Sequence, residues 1–233
     1  MIVYGYRAIL ALTSHKGTLP PMPELVDMRV IGLLSSHLCH ELVNPLGAVN
    51  NGIELLMDVG DDMRDEAMGL IESSAHRTAK RLQFYRMAYG MAGMSALGEL
   101  AQVRDLTNDL LGEGRLSLEW PDEARNPQLQ AGWGRMLMNM AAAAAETLPR
   151  GGVLTSGLDE SGAGVLLYVE ARGQPARLDE ATRPVFFEEV PVEDLSPRNV
   201  HSYFTVKLAG SLGGRIEVKE NEESLVRFEI RLP

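Results

Sequence analysis

The stretch "LCHELVNPLGAVNNGIELL", residues 38–56, holds a dense set of chemically able side chains. His40 can act as a nucleophile through a neutral ring nitrogen, because an imidazole of pKa about 6.5 is mostly unprotonated at neutral pH. Glu41 follows directly, and a carboxylate one residue on can orient or deprotonate the ring. Asn44 lies one turn along and can hydrogen-bond an incoming phosphate. Pro45 offers no N–H to the Glu41 carbonyl and bends a helix. Gly47 keeps the approach clear. These neighbours make His40 a candidate nucleophile. The plain alternative is a solvated surface histidine. A metal site is the other, since His37, Cys39, His40 and Glu41 fall within five residues. Cys39, however, projects about 100° from His40 on a helix, and no second ligand cluster follows, so no metal is expected.

The elements that must present His40 read as helices. With Leu42 at zero and about 100° per residue, Leu38, Leu46, Val49, Ile53 and Leu56 cluster within roughly 40° of it. His40 falls about 160° away, with Asn44, Gly47 and Asn51 on its side. A helix from Glu24 to about Gly60 would therefore bury an apolar stripe, with Cys39 packed near it, and show His40 to solvent. Residues 63–92 repeat Ile71, Ala75, Thr78, Leu82, Tyr85 and Tyr89 at steps of three and four, which predicts a second helix. Two such helices joined by a short turn form an antiparallel hairpin. A lone hairpin leaves much of its stripe exposed, so a homodimeric four-helix bundle is expected.

Beyond "GMAGMSALGEL" the pattern changes. Helices are predicted over 98–112, 127–148 and 197–212, and strands over "RLSLEW", "GVLTSGLD", "GVLLYVEA", "RIEVKE" and "SLVRFEIRLP". This is an α/β sandwich with helices on one sheet. The expected organisation is an N-terminal arm over 1–28, a helical hairpin over 29–96 and an α/β domain over 97–233. "TLPPMPEL" reads as a linker behind the arm, and Met22 and Met28 leave open a natural start downstream. The acidic "FFEEVPVED" reads as a solvated loop, and Trp120 and Trp133 as core or domain-interface residues.

Composition narrows the function. The chain has 233 residues, 45% of them hydrophobic, and a net charge of −10. An acidic chain has no electrostatic footprint for nucleic acid or an anionic membrane. The first residues are too short and polar to span a bilayer and lack the marks of a signal peptide. One cysteine, Cys39, permits no internal disulfide, which fits a reducing cytoplasm.

"HELVNPL" resembles the phosphoacceptor box of histidine kinases, His-Glu/Asp-Leu-x-x-Pro-Leu. The longer "LCHELVNPLGAVNNGIELL", with "RLQFYRMAYG" at 81–90, resembles more closely the ChpT-type histidine phosphotransferases of bacterial phosphorelays. The resemblance implies that His40 is phosphorylated on a ring nitrogen. It also implies that the second domain has the fold of a histidine-kinase ATPase domain, so its nucleotide boxes can be checked. In "NMAAAAAETLPRGG", Asn139 matches the first asparagine, but Ala143 stands at the Mg²⁺ ligand and Glu146 at the usual lysine. In "YVEARGQPA", Ala171 replaces the adenine-binding aspartate and Pro175 the second glycine. In "SPRNVHSYF" the lid glycines that cradle phosphates are gone. "GGRI", 213–216, keeps the family pattern. Nucleotide use is therefore not expected, His201 in the degenerate lid is given no catalytic role, and the chain is expected to bind no cofactor itself.

The expected activity is relay between aspartyl receiver domains, those of a hybrid histidine kinase and of response regulators. A phospho-aspartyl receiver supplying its own Mg²⁺ would dock on the bundle. Glu41 would orient the His40 ring and stabilise its cation. Asn44 would assist. His37, Gly47 and Asn51, flanked by Arg81 and Arg86 from the second helix, would form the docking face. The rival readings are an ATP-using histidine kinase and a non-catalytic binding module that sequesters a kinase or response regulator.

Overall fold

The computed structural model of the chain describes residues 27–58, 63–122, 124–160, 164–221 and 224–233. The expected arm up to residue 26, its linker and the Gly60 helix stop lie outside them. Helix α1, Met28–Asp58, and helix α2, Arg64–Tyr89, pack along one another as the expected hairpin. Their seam is narrow. A Cβ on Gly52 would sit 2.6 Å from Ile71 Cγ1 and 3.2 Å from the Ala67 carbonyl oxygen. Ala67 and Ser74 are buried opposite.

Small residues at the seam divide the expected apolar stripe. Leu46 and Ile53 of α1 are 51% and 44% exposed, and Leu82 of α2 is 50% exposed. Val43, Met57, Met68 and Ala75 are exposed as well. Cys39 is an exposed free thiol rather than a packed one. Leu46, Ile53 and Leu82 thus form an outer face of the hairpin, while Leu38, Leu42, Val49 and Leu56 stay partly buried.

After a short helix α3, Ala92–Ser95, the chain runs through α4, Leu100–Leu111, β1, Leu116–Glu119, and α5, Trp133–Glu146. Next come β2, Gly152–Asp159, β3, Val165–Arg172, α6, Arg183–Phe187, a 3-10 turn at Val192–Asp194, and α7, Val200–Ser211. β4, Ile216–Asn221, and β5, Leu225–Leu232, close it. The strands form one five-stranded sheet in the order β1-β2-β3-β5-β4, with β1 parallel to β2 and the other pairs antiparallel. α5 lies across β2, β3 and β5 with α4 and α7 beside it. Leu154, Leu167, Val169, Phe228 and Ile230 alternate inward toward it. The run 141–145 supplies buried Ala141, Ala143 and Ala144 where that helix meets the sheet.

Helices α5 and α7 start later than expected. α5 begins at Trp133, not at 127, because Gly132 takes φ 85° immediately before it. α7 begins at Val200, not at 197, because the Asn199 side chain accepts a bond from the Ser196 N–H and closes a turn there. One hydrophobic core is continuous from Phe84, Met87 and Ala88 of α2 into Leu97, Val103, Trp133, Met136 and Leu137. Trp120 and Trp133 both belong to it. Among the described residues no helix is long and apolar enough to cross a membrane.

Candidate phosphoryl-transfer site

Helix α1 has three faces, and each has a different neighbour. Glu41 and Gly52 face α2. Val43, Leu46 and Ile53 form the exposed apolar face. His40, Asn44 and Asn51 are exposed on the third face, at helical spacing, with Gly47 between them. Nothing lies within 4 Å of the place a Gly47 Cβ would occupy. The third face is thus open over three turns, and the helix carries on through Pro45. Among the described residues no hydrogen bond or ion pair is formed by the His40 ring. The ring is exposed to solvent, as helical spacing predicts.

Glu41 is placed differently from expectation. Its carboxylate pairs with the guanidinium of Arg81 on α2. Both side chains are about one-third exposed or less, at 28% and 34%. Tyr85, one turn beyond Arg81, lies against the same carboxylate, and burial together with the Glu41 charge pushes its phenol above the ordinary range. Glu41 is therefore held toward α2 and not onto the imidazole of His40. Arg81 is engaged inside the hairpin and does not flank the open face. Arg86 is exposed one turn from the exposed Leu82, so it belongs to the apolar side of α2 and is not brought to His40 either.

His37 also departs from the docking face assigned to it. It is half-buried, and its ring stacks on His201 at 5.9 Å between centroids, with an interplanar angle of 14°. Tyr85 meets it edge-on at 5.9 Å. Burial lowers its pKa, against the opposing pull of Glu41 and a hydrogen bond to the Pro197 backbone. His37 is thus a contact between α1 and the second part of the chain.

His201 sits at the start of α7, in the segment expected to be a degenerate lid. It is buried and bridges three elements. The Tyr89 hydroxyl of α2 lies 2.8 Å from Nδ1, and Nε2 lies 3.2 Å from the Asn139 carbonyl of α5. A carbonyl only accepts, so Nε2 carries the proton and Nδ1 accepts from Tyr89. Burial first, then the His37 ring, lower the His201 pKa to about 4.

Asn139 and Arg135 complete the junction. Asn139 Nδ2 donates to the Ala88 carbonyl at 2.9 Å, and Arg135 donates to the Ala88 and Tyr89 carbonyls at 2.9 and 2.5 Å. They satisfy carbonyls of the last turn of α2, which lack helical partners. Val30 at the other end packs on Leu195 and Val200, and Arg29 donates to the carbonyls of Val192, Glu193 and Leu195. The end of the 186–194 loop thus docks on α1 through Val190, Val192 and backbone carbonyls, while Glu188, Glu189, Glu193 and Asp194 are exposed, as expected of a solvated loop. This junction was not read from the sequence. Its partners lie 46–166 residues apart, so no local spacing marks it. Ala143 and Ala171, at the positions compared with nucleotide ligands, are both buried. Among the described residues no group of three or more His, Cys, Asp or Glu side chains is placed to hold a metal ion.

Residues 100–224 match the family model described as the histidine phosphotransferase C-terminal domain. The protein phosphotransferase ChpT of Brucella abortus (strain 2308) is 30% identical over 195 residues, covering 83% of this chain and 91% of that protein. A solved structure described as that of a bacterial phosphotransferase superposes with a TM-score of 0.76 at 26% identity, covering 90% of this chain and 98% of that one.

Proposed function

Because this chain belongs to the histidine phosphotransferase family, we propose that it relays phosphoryl groups between aspartyl receiver domains through His40. The observation that carries the assignment to His40 is its exposure on an open helix face, with Asn44 one turn on and an unobstructed Gly47 between the turns. The docking receiver covers this face and brings Mg²⁺ with it. A neutral His40 ring nitrogen attacks phosphorus in line, an N–P bond forms and the bond to the aspartyl oxygen breaks. The other ring nitrogen keeps its proton, so the ring becomes a cation. A second receiver aspartate then reverses the step. Asn44 holds a phosphoryl oxygen.

Two further parts of the reading rest on the same observations. Ala143 and Ala171 offer no oxygen to Mg²⁺ and no partner to adenine, and α7 occupies the lid segment, all of which support relay without ATP. The exposed Val43, Leu46, Ile53, Met68 and Leu82 support a homodimeric bundle, placed inside a reducing cytoplasm with its partners.

The test is transfer from pre-phosphorylated receiver domains to the wild type, to His40→Ala and, in a separate arm, from ATP alone. Acid-labile label on the wild type only, and only with receivers, is the expected result. Label from ATP would make the chain a kinase. Label retained by His40→Ala would move the site. For the dimer, Leu46→Glu with Ile53→Glu is expected to halve the mass in sedimentation. An unchanged mass would place the interface elsewhere.

A further inference from the structure

Glu41 is bound by a residue that no local pattern points to. Arg81, 40 positions later, reaches across the hairpin to its carboxylate. We propose that Arg81 is a positioning residue for transfer at His40, holding Glu41 toward α2 and cancelling its charge beside the phosphoryl group. This rests on His40 being the phosphorylated residue.

The physical problem is one of like charge. A phosphoryl group approaching His40 carries negative charge, and so does the carboxylate on the next residue. An unpaired Glu41 would repel the incoming group. The guanidinium removes this repulsion. It donates to the carboxylate, lowers its basicity and holds its rotamer on the α2 side. Tyr85 closes the same pocket from one turn further along.

This role differs from direct contact with the receiver, and a double-mutant cycle separates the two. Transfer to and from His40 is measured in single turnovers at saturating receiver for the wild type, Arg81→Gln, Glu41→Gln and the double variant. Arg81→Gln is expected to slow transfer roughly tenfold, the scale of one charge interaction near a protein surface, and to displace the pH profile of the return step. Arg81→Lys is expected to restore part of the rate. In the Glu41→Gln background, Arg81→Gln is expected to change little, since no charge is left to cancel. An equal loss in both backgrounds, or a loss only in half-saturating receiver concentration, would mean that Arg81 touches the receiver and would overturn the proposal. So would an unchanged rate in Arg81→Gln. Arg81 is one-third exposed, and unchanged melting of the variants separates these outcomes from misfolding. Wild-type protein labelled at another residue would instead defeat the assignment of His40 itself.

Discussion

The open face of α1 is held at the cost of a glycine inside a helix. Gly47 should be destabilising by about 0.5–1 kcal/mol relative to alanine, and a Cβ there meets nothing within 4 Å. Gly47→Ala is therefore expected to raise stability by about that amount in urea unfolding. Gly47→Trp is expected to leave the fold intact and cut transfer from a receiver at least tenfold, by filling the space a partner needs. His201 gives a pH dependence with a fixed sign. Its folded pKa of about 4 lies below the ordinary histidine value, so the unfolded chain binds more protons between about pH 6.5 and 4. Stability should fall as pH drops through that window, by a few kcal/mol in all. Denaturant midpoints at pH 7 and pH 5 check this, and His201→Gln should flatten the slope. His40, Asn44, Gly47 and Asn51 were legible because helical spacing alone puts them together. The Glu41–Arg81 pair was not, because it depends on how two helices cross.

At the scale of elements, the hairpin depends on close approach at its seam. Gly52→Val would drive carbon into Ile71 and the Ala67 carbonyl, and a loss of about 1–3 kcal/mol is expected from overpacking, read by thermal melting. The long helices and all five strands were readable from periodicity, since each carries several repeats of its own pattern. α3 and α6, at four and five residues, carry barely one turn and leave no period to detect. The apolar stripe was expected to stay partly exposed on a single hairpin, and Leu46, Ile53 and Leu82 do face outward. Periodicity identifies an apolar face. It does not say whether a neighbouring helix of the same chain or a second copy covers it.

For the molecule as a whole, helix α5 acts as a clamp. Arg135 and Asn139 cap α2, and His201 ties α7 to both. Arg135→Ala should cost about 1.5–3 kcal/mol, the usual worth of hydrogen bonds from a charged donor. It should also separate the melting of the hairpin from that of the sheet in probes that report each. Ala143 and Ala171 could be read from the sequence, but the clamp that α5 makes through Arg135 and Asn139 could not, because its partners lie on α2, 46 or more residues away. A histidine kinase must bring bound nucleotide to its histidine and later withdraw it. Here α1 is tied at Arg29 and His37, and α2 at Tyr89. On the proposed relay without ATP, these ties leave no nucleotide-driven stroke to throttle. Phosphoryl traffic through it then follows the relative charging of its receivers, and the signal reverses direction whenever the upstream receiver is emptied faster than the downstream one.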